Sequence, residues 1–300
     1  MPYLFLLVTS LLFGGNFVLG KSLVGHASPM TLTNLRWIIA VVCLFPLVLW
    51  KEKKLLPPKG TVFPLFLMGL TGVVIFNLLQ FVALHKTSAT NVGLISTLNT
   101  ITIAVCSYLF LKEKINKLQI AAMILSFLGV VLVLTRGNMQ LLLTLQLNTG
   151  DLFMIFAVCI WGIYSVCSKW AMGKKLSPLL STFYSGLFGV LVLLPFNWNT
   201  FTVKNINASF IQAILATGIS TVICMVLWNI GVQKIGATTS GLFLNFNPIF
   251  TAILAYIFLG EKMTWMQAIG SIVVIAGCYL FSYFKKNTFR KKRENNPLHM

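Results

Sequence analysis

The stretch Ala104–Lys114, AVCSYLFLKEK, returns 148 residues later as Ala252–Lys262, AILAYIFLGEK, with six of eleven positions identical and no gap. In a chain of 300 residues a repeat at that spacing means two halves. Phe13-Gly14 with Trp161-Gly162, Lys21 with Lys169, Asn99 with Asn247 and Gly129 with Gly277 keep the same offset. Ser28-Pro29 with Ser177-Pro178, and Pro46 with Pro195, keep it to within one residue. What solvent those halves fold in follows from composition. Hydrophobic residues make up 57% of the chain and charged ones 9%, with a mean hydropathy of +0.88. A soluble domain carries about 25% charged residues, so the solvent here is a bilayer.

A hydrocarbon core about 30 Å thick takes roughly 17–25 apolar residues in a helix. Ten segments qualify. In the first half they are Tyr3–Val24, Leu32–Trp50, Val62–Leu84, Ala89–Leu111 and Leu118–Leu134. In the second they are Leu152–Ala171, Leu179–Phe196, Phe210–Val232, Ala237–Leu259 and Met266–Phe284. Five spans per half is an odd number, so two similar halves enter the membrane in opposite senses. The expected fold is therefore an all-α membrane protein, with ten transmembrane helices arranged as two inverted five-helix repeats. The repeats occupy 1–135 and 152–284, joined by a linker at 136–151 and followed by a basic tail at 285–300. Many transporters place one central site between such inverted halves.

The formal charge is +18, from 23 Lys and Arg against five acids. With the N-terminus in the cytoplasm, 17 of the 23 fall on the inner side and six on the outer. That bias places both termini in the cytoplasm of a multi-pass cell-membrane protein. It also explains the basic pI of 9.9 without nucleic acid as a partner. The expected partners are the lipid bilayer and a small-molecule substrate, and a homodimer is compatible with the pattern. The six cysteines lie in apolar runs without a CxxC, so neither a metal site nor a disulfide framework is indicated. Gly15–Ser22 spells GxxxxGKS, but inside an apolar helix its amides are already bonded and cannot cradle phosphate. Lys21 there reads as a cation snorkelling at a helix end.

FGGNFVLGK from Phe13 and WGIYSVCSK from Trp161, with FLKEK and FLGEK before the fifth and tenth helices, resemble the two EamA domains of the drug/metabolite transporter superfamily. The resemblance covers nearly the whole chain. It implies a ten-helix inner-membrane carrier, often an exporter of amino acids or other small metabolites, with no cofactor. Phe13 replaces the Trp usual in the first motif, and Thr100 stands where the second half has Pro248.

No acid lies near the middle of a span and no catalytic constellation can be assembled, so the chain is not read as an enzyme. The missing mid-membrane carboxylate disfavours cationic cargo and favours neutral or zwitterionic solutes. Candidate substrate-binding residues are the polar and aromatic ones at mid-span. Asn16, Gln80, Asn99, Asn245 and Asn247 would hydrogen-bond a solute, while Tyr164 and Trp228 would stack on it. Each Asn could instead be interhelical glue, bonding a neighbouring helix. Pro248 is expected to kink its helix. Arg36 lies a few residues into the second span, where outward snorkelling is the favoured placement. Turned inward it would pair with a solute carboxylate. The reading is a secondary transporter that moves small polar metabolites, amino acids or related compounds, across the cell membrane in the export direction, by alternating access between the two inverted repeats. Its alternatives are a carrier for lipophilic drugs or nucleotide-like metabolites, and a non-transporting scaffold or sensor.

Overall fold

The computed structural model describes residues 1–52, 55–113, 115–135, 148–174, 176–260 and 265–294. The linker up to residue 147, Glu261 and Lys262 of the second repeat motif, and the side chains of the basic tail lie outside the described residues. The first half contributes α1 (Pro2–Leu23), α2 (Pro29–Lys51), α3 (Val62–Lys86), α4 (Ala89–Leu111) and α5 (Lys117–Thr135). The second contributes α6 (Thr149–Met172), α7 (Pro178–Asn197) and α8 (Ala208–Ile235). It continues with α9, in the pieces Ala237–Phe243 and Asn247–Leu259, and α10 (Trp265–Glu294). Among the described residues, eight of these, all but α5 and α10, are long and apolar enough to cross a bilayer. The apolar stretches of α5 and α10 run, within the described residues, over Lys117–Gly129 and Ala268–Phe281, and the two helices pack along each other.

Local chemistry sets the helix ends, and does so twice. Ser28 Oγ accepts from Thr31 N at 3.1 Å, and Ser177 Oγ accepts from Leu180 N at 3.1 Å, each followed by Pro in the first turn. Both residues fill the N-cap role that satisfies an orphan amide. The opposite ends of α4 and α9 stop in left-handed residues, Lys112 at φ 53° and Gly260 at φ 68°, again 148 apart. Lys21, expected to snorkel, instead donates from Nζ to Leu84 O at 2.7 Å and Thr87 O at 2.8 Å. Lys169 does the same at α8, to Val232 O and Gln233 O, both at 3.3 Å. A lysine thus closes the C-terminal carbonyls of a helix in each half, where the dipole favours a cation.

Two helices change winding midway at matched positions. α4 passes through a 3₁₀ turn at Ser96–Leu98 and α9 through one at Leu244–Phe246, and the turns pack against each other. Pro248 follows the second turn at the start of Asn247–Leu259, yet Thr100 occupies its place after the first. The break in α4 therefore forms without proline. α3 contains a π-helical stretch, Gly69–Ile75, that α8 lacks. Asn77 covers its displaced carbonyls, donating from Nδ2 to Gly72 O at 2.7 Å and Val73 O at 2.8 Å.

Packing follows the same duplication. α1 lies on α8 as α3 lies on α6, and α9 lies on α1 as α4 lies on α6. Glycine permits the closest of these approaches. A Cβ on Gly14 would sit 3.0 Å from Thr251 N, and one on Gly162 would sit 3.0 Å from Thr102 O. Such small-residue contacts are what hold helices together when lipid offers no hydrophobic drive. The aromatics of the repeat motif, Tyr108 and Phe110 with Tyr256 and Phe258, are exposed on the outer surface, as lipid-facing residues should be.

Candidate functional site

The two crossed breaks lie beside a central cavity lined by helices of both halves. α1 supplies Asn16, α2 Arg36 and Trp37, and α3 Asn77 and Gln80. Asn99 and Asn247 enter as the residues just after the two 3₁₀ turns, and Trp161 enters from α6. Free interior space is about 30 Å³, room for one or two waters. An amino acid or larger solute enters only if the helices part.

Asn16, Arg36, Gln80, Asn99 and Asn247 of the sequence candidates thus surround one space. Asn16 is held from one side: its Oδ1 accepts from Ser220 Oγ, and its Nδ2 lies 3.9 Å from Cys224 Sγ. Asn247 Nδ2 donates weakly to Ser96 Oγ at 3.5 Å. The remaining candidates lie outside the lining. Tyr164 OH donates to Asn229 Oδ1 at 3.2 Å, so its polar end is engaged between α6 and α8. Trp228 is fully buried behind Trp161, ring centroids 5.6 Å apart. Asn245 accepts from Thr100 Oγ1 at 2.6 Å and donates to Ser126 Oγ at 2.6 Å, bonding α4, α9 and α5 together.

Arg36 does not snorkel. It is 2% exposed and lines the cavity, its guanidinium 4.9 Å from the Phe81 ring centroid. The outward placement expected from its position near a helix start fails because α8 covers that face: the α2 backbone at Arg36 abuts Gly218. The acids with described side chains are all engaged elsewhere. Glu52 bonds Ser177, Glu113 bonds Thr238 at 2.6 Å, and Asp151 caps α6 with Asn148. Arg36 is left a buried cation whose Nε has no partner. Its face-on contact with Phe81 returns about 0.5–2 kcal/mol, less than the several kcal/mol that burying an ion costs.

The aromatic part of the lining was missed as such from sequence. Trp161 is its hub, edge-on to Phe13 at 5.4 Å and tilted against Phe76 at 4.8 Å and Tyr164 at 4.8 Å. Its alignment with Phe13 across the repeat was the available signal.

The family model described as "EamA-like transporter family" matches residues 1–135 and 148–283. An uncharacterized transporter of Bacillus subtilis (strain 168), YyaM, is 31% identical over 281 residues, covering 92% of this chain and 91% of its own length. An uncharacterized transporter of Archaeoglobus fulgidus is 30% identical over 285 residues, covering 93% and 96%. The S-adenosylmethionine/S-adenosylhomocysteine transporter of Chlamydia trachomatis serovar L2 is 27% identical over 297 residues, covering 93% and 88%. A crystal structure at 18% identity shares the fold with a TM-score of 0.75, over 96% of this chain and 98% of that one. A duplicated apolar helical bundle, a buried cavity that mixes amide and aromatic side chains, and these full-length matches converge: the chain belongs to the EamA-like transporter family, as a multi-pass membrane transporter and not an enzyme.

Proposed function

We propose that the chain is a secondary carrier for small polar metabolites, amino acids or related compounds, working by alternating access between two inverted five-helix halves. One observation carries this reading: a cavity that sets amide and guanidinium side chains among aromatic and apolar ones lies beside the two matched, mutually packed helix breaks, and both halves line it. α5 and α10 complete ten spans, and the basic-residue bias sets both termini in the cytoplasm of the cell membrane. Amide side chains in the lining favour polar cargo over lipophilic drugs. The relative named for S-adenosylmethionine and S-adenosylhomocysteine, both amino acid derivatives, fits the same class. Export as the direction rests on the family resemblance.

The test is efflux from proteoliposomes loaded with a mixed pool of amino acids and metabolites, with and without a pH gradient. Saturable loss of one solute class is the expected result, and the gradient arm reads coupling to protons. A vesicle that retains every solute removes the carrier reading. Accessibility labelling at Lys112 and Gly260 checks the inversion, since the two corners should react from opposite faces of the membrane.

A further inference from the structure

The repeat slips its register once. The offset is 149 residues at Pro46 and Pro195 but 148 at Ala89 and Ala237, so the first half holds one residue more over that interval. Helix contacts locate it. Gly69 and Gly218, still 149 apart, meet equivalent residues: a Cβ on Gly69 would touch Ser185 O and Phe188, and one on Gly218 would touch Arg36 O and Ile39. At Gly72 the offset is already 148. Its equivalent Ser220 meets Asn16 where Gly72 meets Tyr164, and Asn16 and Tyr164 are 148 apart. The extra residue therefore falls between Gly69 and Gly72, inside the π stretch, where Phe76 N reaches back to Thr71 O rather than one residue less.

One position thus carries two chemistries. On α8, Ser220 Oγ donates to Asn16 Oδ1. On α3, the backbone at Gly72 carries the Tyr164 ring, so close that a Cβ would lie 2.3 Å from Cδ2. Asn77 secures that backbone through the Gly72 and Val73 carbonyls, and Met225, its equivalent on α8, has no amide to do so. Asn16 and Gly72 both line the cavity. Asn16 lies nearer the end of α1 that leads to His26, and Tyr164 nearer the end of α6 that leads to Lys174.

Resting on the carrier reading above, we propose that these two contacts are the barriers of the cavity, one toward each end of the bundle, and that the inserted residue makes them unlike. Toward His26 the barrier is the Asn16–Ser220 hydrogen bond. Toward Lys174 it is the Tyr164 ring seated on the π turn of α3. Each contact joins one half to the other, so each must part before a solute passes on its side. The first parts when a single hydroxyl leaves an amide. The second parts only when α3 rewinds or Tyr164 turns away, giving up its bond to Asn229 and its contact with the Trp161 ring. π turns within α-helices gather at functional sites, and this one places backbone rather than a side chain under the ring. A π turn that only packs α3 against α7 would have no bearing on which side of the membrane reaches the cavity.

The test reads access to the cavity from each face of the membrane. Leu244→Cys lines the cavity and belongs to neither barrier. In full-length protein whose six native cysteines are replaced, it is labelled with a membrane-impermeant maleimide in right-side-out and inside-out vesicles. Ser220→Ala should raise the labelling rate about 2- to 10-fold from the face carrying His26 and leave the other face unchanged, the weight of one hydrogen bond. Tyr164→Ala and Asn77→Leu should raise it from the face carrying Lys174 alone, and if the first fails to fold, the second reads the same barrier. Tyr164→Phe, which keeps the ring and loses the bond to Asn229, should leave both rates near those of the parent. The double variant Gly72→Ser/Tyr164→Asn copies the other barrier's pair and should bring the two faces to similar rates. Gains at both faces, gains at the opposite face, or unchanged rates in folded Ser220→Ala and Asn77→Leu protein overturn the proposal. Solute flux separates the two readings. Face-specific labelling without saturable flux keeps the barriers and sinks the carrier, whereas flux with labelling indifferent to the face keeps the carrier and sinks the barriers.

Discussion

An asparagine in an apolar helix looks the same in sequence whether it faces a cavity or a neighbour. The difference lies in what its amide finds. Asn99 and Asn247 keep an oxygen unpaired at the cavity, whereas Asn229 is bonded at both ends of its amide. Its Oδ1 accepts from Tyr164 OH and from Ser168 Oγ at 2.7 Å, and its Nδ2 donates to Thr182 Oγ1 at 2.9 Å, tying α6, α7 and α8 together. Five of the eight sequence candidates reach the cavity, and Tyr164, Trp228 and Asn245 miss it because partner identity is a tertiary property. Asn229→Leu should therefore cost stability and leave solute preference alone. Interhelical hydrogen bonds in membranes are worth about 0.6–2 kcal/mol each, so the loss should be about 1–3 kcal/mol. Thermal unfolding in detergent reads the first effect, and the rank order of solutes exported by the surviving protein reads the second. Tyr164→Phe, which removes one bond of that set, should show a smaller loss of the same kind.

At the scale of the helix, ends were legible and windings were not. Ser-Pro at 28–29 and 177–178 marked the starts of α2 and α7 by capping chemistry alone. The π stretch of α3 had only weak signals, Gly69, Gly72 and Asn77, none of which specifies an extra residue per turn. Proline at 248 suggested a kink in α9, but α4 changes winding at the matched place with Thr100 there. The shared cause is the crossing itself. A Cβ on Gly93 would lie 2.8 Å from Thr251 Oγ1, and one on Gly241 would lie 3.0 Å from Ile103 Cδ1, so each helix bends around the other half. Pro248→Ala should keep the break and shift stability by about 1 kcal/mol or less, since it adds an amide without moving the neighbours. A crystal structure of that variant with α9 straight through 244–246 would assign the break to proline instead. Gly72→Val, by contrast, drives a side chain into the Tyr164 ring, and overpacking there should cost about 1–3 kcal/mol in the same unfolding assay.

Across the whole molecule, the 148-residue offset was legible in the sequence, while the contacts at the two ends of the bundle, the mouths of the proposed carrier, were not, because they join segments distant in sequence. On one side the α1–α2 loop meets the α7–α8 loop. Lys204 N donates to His26 O at 2.6 Å, Ala27 pairs antiparallel with Val203, and His26 Nδ1 lies 3.1 Å from Asn205 O. On the other, Lys174 Nζ donates to Gly60 O at 2.8 Å, Tyr184 OH donates to Leu55 O at 2.9 Å, and Ser177 bonds Glu52. Every one of these bonds joins one half to the other. With both sets made, the cavity keeps about 30 Å³ and admits no metabolite, so the proposed alternating-access cycle would break one set at a time. Ala27 and Val203 offer a direct handle. Directly opposed antiparallel residues have Cα atoms about 4.5–5.5 Å apart, within the span a disulfide bridges. Oxidised Ala27→Cys/Val203→Cys protein should therefore lose transport by about tenfold or more, with recovery on reduction and near-normal flux in each single variant. The six native cysteines stay unpaired in the folded chain, so a non-reducing gel reports the new bridge alone. Full flux through the bridged protein would mean that this mouth never opens. The solute would then have to pass by another route, and rocking of the halves would no longer describe the cycle.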